Sequence, residues 1–411
     1  MQGKVAKVNN VLKLLADVRI VDLTSIVLGP MATQTLADLG ADVIKVESLD
    51  GDLARSSGVA GPDGMGAVFA NNNRNKSSIA LDLKAESAKA VLSRLIKDAD
   101  VFVHNMRPAA IARLGFDAEA VKAIKPDIIY CAATGYGSNG PYAGRPAYDD
   151  VIQAVSGLAS LPMHTGSDPA YVPSVMADKI SALHIVYGIL AALYDRQRTG
   201  NGCTMEVPMY ESLVSFVMNE HLDAATFSDN AEPGYGRLLN PNRRPFKTAD
   251  GWLAVMPYNE SQWTRLLSLL DRGDVLNEDW FASAAGRNSH SAFLYGILVE
   301  EMPKESTEVW IQKLVDLDIP HSPVNTLSDL LDDPHLKHTG FFNSTDDLPG
   351  RARSVAQPVI FNEAPVGPDT AAPKVGEHTE AVMLKLGYST EQILQLQQAG
   401  VLKQTAGSVD T

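Results

Sequence analysis

The feature that most restricts how this chain folds is the stretch from Tyr171 to Gly202, YVPSVMADKISALHIVYGILAALYDRQRTGNG. From Ile180 to Tyr194 it is apolar on nearly every face, broken only by Ser181 and His184. A helix of that kind is expected to be buried on most sides, so the rest of the chain must supply its cover. The run is too short for a membrane span, and Asp195, Arg196 and Arg198 close it before Gly200 and Gly202 act as stop signals. Asp178 stands at its amino end. There a carboxylate either caps the first turn or sits where the helix dipole and free N–H groups favour negative charge and an anionic ligand. Local sequence leaves both readings open.

The cover is legible upstream. Val18–Leu23, Ala41–Glu47, Ser78–Leu83, Val101–His104 and Pro126–Gly137 read as strands. Helical patterns separate them, including Gly29-Pro30 through Leu39, Ala85–Lys97 and Ala118–Ile124. Strands alternating with helices predict an open, mostly parallel α/β sheet, whose ligands lie at the strand carboxyl ends. The first crossover carries no GxGxxG motif, so its likeness to a nucleotide-binding turn is loose. The polar segment Asn71–Lys76 reads as a loop whose Arg74 and Lys76 are either solvated or meet phosphates. Arg107 and Arg113 flank the start of a short helix, a second place favourable to anions.

After the apolar run, Thr204–Val207 reads as a strand and Met209–Phe227 as a helix. Composition then changes. The segment from Asn230 to Pro257 has hairpin character around Asp250-Gly251, and helices follow at 260–270, 291–301 and 306–316. Boundaries near Asn230 and Val324 divide the chain into 1–229, 230–324 and a tail, 325–411, with a last helix at 390–399.

Acidic residues exceed basic ones by 49 to 35, a net charge of -14, which argues against nucleic acid or an anionic membrane as the main partner. Cys131 and Cys203 are the only cysteines, so neither a disulfide framework nor a metal-ligand spacing is present. The opening residues lack a secretory pattern, and the expected compartment is the cytoplasm.

Eight phrases in fixed order carry a resemblance: GADVIKVE, NRNKSSIALDLK, VHNMRPAAIARLGF, GYGSNGPYAGRPAYDDVIQAVSG, the Asp178 stretch through RTGNG, RPFKTADGWLAV, IPHSPV with DDPHL beyond it, and VGEHTEAVMLKLGY. Together they resemble the class III CoA-transferases (CaiB/BaiF), among them the formyl-CoA:oxalate and carnitine CoA-transferases. The resemblance implies a Rossmann-like α/β domain built from both ends of the chain, a smaller α+β domain from the middle, and an interlocked homodimer. It implies acyl-CoA and a small carboxylic acid as substrates, with no tightly bound cofactor and no metal. Asp178 takes the place of the nucleophile, which alternates between a mixed anhydride and an aspartyl-CoA thioester.

Carried over phrase by phrase, the resemblance places CoA along Leu81, Asp82, Leu83 and Lys84 near the adenine end. Asn105, Met106 and Arg107 follow along the pantetheine and phosphates, then Arg113, Tyr148 and Asp149 toward the reacting centre. Three departures from the formyl-CoA:oxalate enzymes stand against oxalate: Val27 replaces a Gln, Ser48 replaces an Arg, and the segment between Asn230 and Arg244 lacks their glycine-rich loop. Racemases of 2-methylacyl-CoA share the resemblance but carry a His where this chain has Tyr148. That reaction and a non-catalytic CoA-binding role are the alternatives. Arg145, Arg243, Arg244, Lys247 and His321 are candidates for a second carboxylate of a dicarboxylic acceptor, or plain solvated cations.

Overall fold

The computed structural model describes residues 12–344, 353–362 and 370–405. Six strands run parallel: β1 (Arg19–Leu23), β2 (Asp42–Glu47), β3 (Lys76–Leu81), β4 (Val101–His104), β5 (Ile129–Thr134) and β6 (Cys203–Pro208). Their order is β3-β2-β1-β4-β5-β6, and the tail strand Leu402–Lys403 pairs antiparallel beside β3 as a seventh. The direction of winding reverses between β1 and β4, the switch point at which open α/β sheets place their ligands. No pattern in Leu402–Lys403 marks it as a strand, because two residues carry no periodicity.

The two faces of this sheet are unlike. On one, Val21, Leu23, Ile44, Val46, Ile79, Leu81, Phe102 and Tyr130 share a core with the helix Glu86–Lys97 through Val91, Leu92, Leu95 and Ile96. Each such aliphatic burial stabilises by roughly 1.5–3 kcal/mol. The tail helices Thr379–Lys385 and Thr390–Gln398 join the same core through Met383 and Ile393.

On the other face, Asp22, Lys45 and Ser78 stand side by side in register, with Lys76 two residues upstream on β3. Lys76 Nζ donates to Asp22 Oδ2 (3.1 Å), Thr33 Oγ1 (2.7 Å), Asn73 Oδ1 (2.8 Å) and the Pro30 carbonyl (3.0 Å). Lys45 Nζ meets Asp52 Oδ2 at 2.9 Å and the Thr24 carbonyl at 2.8 Å. Arg74 is likewise buried against Asp38. Both readings of the 71–76 segment are therefore corrected: Arg74 and Lys76 are internal ion-pair partners, neither solvated nor facing a ligand. Their acids lie 36 and 54 residues away, out of reach of any local pattern.

The long helix spans Met176–Thr199 and packs on the helix Leu28–Asp38, β5 and β6. It is longer than its apolar run, so the expectation that it is too short for a membrane is corrected. By length and composition it is long and apolar enough to cross one. The expectation of burial on most sides is corrected too. Ala177, Ile180, Ala182, Ile185 and Ile189 are buried, but Leu183, Tyr187 and Tyr194 are 56%, 60% and 65% exposed.

The chain divides into two compact units, one comprising 1–156, 172–216 and 334–411, the other 157–171 and 217–333. The divisions fall inside the helix Met209–His221 and after Asp333, rather than near Asn230 and Val324. In the second unit β7 (Phe246–Lys247) and β8 (Trp252–Val255) form the hairpin around Asp250-Gly251, and β9 (His321–Pro323) pairs with β8. Phe246, Leu253, Trp263, Leu266, Tyr295, Leu298 and Trp310 fill its core.

Lys76→Met removes the charge and keeps most of the stem. It is expected to cost roughly 3 kcal/mol or more in a urea titration, because Asp22 is left buried without its partner. The Asp22→Asn/Lys76→Met double variant should lose less than the sum of the two. Asp22 is held down to about 2 from 3.8: Lys76, Lys45 and two threonine hydroxyls together outweigh its desolvation, which is the largest single effect. Its contribution to stability is therefore complete above pH 3.8 and is lost as pH falls toward 2.

Candidate active site

The carboxyl ends of β1 to β5 share one edge of the sheet, and the long helix begins there, since it runs back to feed β6. The loop after β1 is tightly determined. A Cβ on Gly29 would lie 2.2 Å from the Thr24 side chain, so only glycine fits. Ile26 takes φ 72°, a costly conformation for a β-branched residue, and its N–H is held by Asp52 Oδ1 at 3.1 Å. Asn105, just beyond β4, accepts from Ser25 N (3.0 Å) and donates to the Ser25 carbonyl (2.9 Å). The two loops at the switch point are thus locked together.

Of the residues expected along CoA, Leu81–Lys84 and Asn105–Arg107 lie at or just beyond the carboxyl ends of β3 and β4, while Arg113 lies in the last turn of the helix Pro108–Leu114. Leu81 is buried in the apolar core and Leu83 packs against it. Asp82 accepts from Lys84 N at 3.1 Å, leaving the Lys84 side chain exposed. Asn105 is committed to Ser25, and Met106 packs against the core. Arg107 and Arg113 are exposed, with no acidic partner among the described residues. Tyr148 is 74% exposed at the start of the helix Asp149–Val155.

Asp149 is buried and faces inward. Its Oδ1 accepts the backbone N–H of Asp178 at 3.0 Å, and its Oδ2 accepts Gln153 Nε2 at 2.6 Å. Gln153 also receives Val172 N (2.9 Å) and donates to the Ser174 carbonyl (3.1 Å). Asp149 and Gln153 therefore hold the approach to the long helix from Val172 to Asp178. Sequence reading missed Gln153, although its i+4 spacing from Asp149 on a helix is a usable signal.

Asp178 is not the cap. Val175 holds that position, without a side-chain bond, and Asp178 is the third helical residue, partly exposed. Its own N–H belongs to Asp149 and that of Lys179 to the Val175 carbonyl. Among the described residues the N–H groups of Met176 and Ala177 have no acceptor. One turn on, the buried Ser181 hydroxyl is also without a partner.

Burial pushes the Asp178 carboxyl up to about 7, and the nearby Asp149 carboxylate adds to the shift. The helix amino end, expected to keep this group low, does not outweigh them. Of the candidate second-carboxylate cations, Arg145 in the first unit stacks on Tyr142 at 4.2 Å. In the second unit Arg243 Nε is buried and unpartnered, while His321 bonds the Ile319 carbonyl at 2.7 Å. Arg244 and Lys247 are exposed.

A carboxyl raised to about 7 thus stands at the head of the long helix beside two backbone N–H groups that have no acceptor among the described residues. A family model for CoA-transferase family III matches residues 15–379. The chain is 30% identical over 385 residues to a succinate–glutarate CoA-transferase of Agrobacterium fabrum, covering 90% of this chain and 95% of that one. It is 30% identical to the human succinyl-CoA:glutarate CoA-transferase, over 96% of this chain and 91% of the relative. The crystal structure of a CAIB/BAIF family protein from Brucella suis superposes with a TM-score of 0.77 at 30% identity, covering 92% and 100% of the two chains. The chain belongs to CoA-transferase family III and is an enzyme of that family.

The raised carboxyl has a thermodynamic signature. Between pH 3.8 and about 7 the folded chain keeps a proton on Asp178 that the unfolded chain releases, so this group makes the fold less stable as pH rises across that window. Asp178→Asn is expected to melt higher than wild type at pH 8, by about 1–2 °C, and no differently near pH 4. Scanning calorimetry at the two pH values checks this.

Proposed function

We propose that Asp178 is the nucleophile of a CoA transfer from an acyl-CoA to a free carboxylic acid. The observation that carries this reading is the placement of Asp178 in the first turn of the long helix, partly exposed at the carboxyl edge, with its backbone fixed by Asp149. Attack of the carboxylate on the thioester carbonyl expels CoA thiolate and leaves a mixed anhydride. The thiolate returns to the aspartyl carbonyl, releasing the first acid and forming an aspartyl-CoA thioester. The acceptor carboxylate attacks that thioester to give a new anhydride, and the thiolate then attacks its acyl carbonyl. The new acyl-CoA leaves and the aspartate is restored.

The N–H groups of Met176 and Ala177 are the donors assigned to the oxyanions of these steps. Arg107 is assigned to the phosphates of CoA, Arg113 to the part nearer the reacting centre, and Leu81–Lys84 to its adenine end through backbone atoms, since Leu81 itself is buried. Tyr148, exposed beside Asp149, serves the pantetheine. Two of the relatives are named for glutarate, and a dicarboxylic acid is accordingly the acceptor class proposed first. An intertwined homodimer is proposed as the working form, supported by the uncovered Leu183, Tyr187 and Tyr194 of the long helix.

Only the ionised carboxyl attacks, so transfer should rise with pH through about 7 and level off above it. Asp178→Ala should abolish transfer while retaining CoA binding in a calorimetric titration. Wild type incubated with acyl-CoA and hydroxylamine should gain the mass of a hydroxamate on Asp178. Transfer surviving in the alanine variant would refute the assignment.

The raised pKa of Asp178 also suits proton transfer, which favours the racemase as second reading. Against it stands Tyr148, a phenol where the racemase branch has the imidazole suited to general-base work. A chiral 2-methylacyl-CoA in deuterated water is expected to keep its α-hydrogen. Rapid deuterium uptake without an acceptor acid would select the racemase.

A further inference from the structure

A cavity of about 120 Å³ opens within the second unit, lined among others by Arg237, Tyr258, Trp263, Arg287, Asn288 and Leu294. Its two guanidinium groups are differently occupied. Arg287 Nη1 meets Glu260 Oε2 at 3.1 Å and the Phe281 carbonyl at 2.6 Å. Arg237 has no acidic partner among the described residues. It reaches Tyr295 Oη at 3.5 Å, the outer limit of a hydrogen bond, and Met256 Sδ at 4.0 Å, and it lies 5.1 Å from the Tyr258 ring centre. A stacked tyrosine is worth about 0.5–1 kcal/mol to a cation, and the remaining partners of the fork, Tyr295, Tyr235 and Met256, are neutral side chains that leave its charge without a counter-ion among the described residues.

The remaining walls are of two kinds. Trp263 and Leu294 are buried and present apolar surface, whereas Asn288 contributes a side-chain amide. The volume equals roughly four waters at their liquid share of ~30 Å³ each, enough for a small organic acid and too little for a nucleotide. We propose that this cavity binds a small carboxylate, its charged head on Arg237 and Asn288 and its apolar body against Trp263 and Leu294. The planar guanidinium fork matches a carboxylate in two parallel bonds, and the apolar wall has use for a hydrocarbon body that inorganic phosphate lacks. The site is independent of the chemistry assigned to Asp178.

The probe is butyrate, with n-butanol and inorganic phosphate as controls. The full chain is labelled with 5-fluorotryptophan, and the fluorine signal of Trp263 is identified by Trp263→Phe. Butyrate should shift that signal saturably in wild type and equally in Asp178→Ala, which separates this site from the transfer site. Arg237→Met should weaken the response at least tenfold, and butanol should bind at least tenfold more weakly than butyrate. Asn288→Leu, a change at the exposed mouth, gives a second reading if Arg237→Met fails to fold, and should also weaken butyrate at least tenfold. No saturable shift in wild type, an undiminished shift in either variant, or saturation by phosphate in preference to butyrate would overturn the proposal.

Discussion

The carboxyl edge of the sheet depends on charge buried beneath it. Lys76 with Asp22, Lys45 with Asp52, Arg55 with Glu47 and Arg74 with Asp38 bury four cations and four anions around the first strands, where a parallel sheet ordinarily packs aliphatic residues. Such pairs gain little net stability, since desolvation consumes most of the attraction. What they supply is direction. Asp52 accepts from Ile26 N, Glu47 accepts from Asp52 N, and Lys45 holds the Thr24 carbonyl, so the loop after β1 has one permitted path. Asn105 extends that constraint to the loop after β4.

A second constraint acts at the head of the long helix. Asp149 fixes Asp178 through its backbone N–H while its charge opposes ionisation of the Asp178 side chain. Position is thus secured at the expense of acidity. For the attack proposed for this carboxylate, a value near 7 leaves part of the group ionised at neutral pH. Arg107 and Arg113, exposed in the same unit, form no ion pair with the aspartate among the described residues.

Much of this was written in short-range pattern. The six parallel strands, the Asp250-Gly251 hairpin and the helices at 118–124 and 291–301 follow from periodicity and turn chemistry acting within a dozen residues. Asp178 was legible as the acidic residue opening an apolar run, and its place in an ordered set of phrases was legible as a family resemblance. The tail strand, the burial of Arg74 and Lys76 and the role of Gln153 were not.

The difference is one of range. The sequence alone determined the kind of elements, their alternation and the family, because these rest on side-chain period and on phrases read in order. Tertiary structure decided which charges became internal, which face of the long helix was left uncovered, and whether Asp178 would be acidic or near neutral. Each of those is settled by groups tens of residues away: Asp22 for Lys76, Asp149 for Asp178, the helix Leu28–Asp38 and β5 for the long helix. A carboxyl at a helix start should be acidic by its local dipole alone, and burial beside a second carboxylate, which no local pattern records, reverses that outcome.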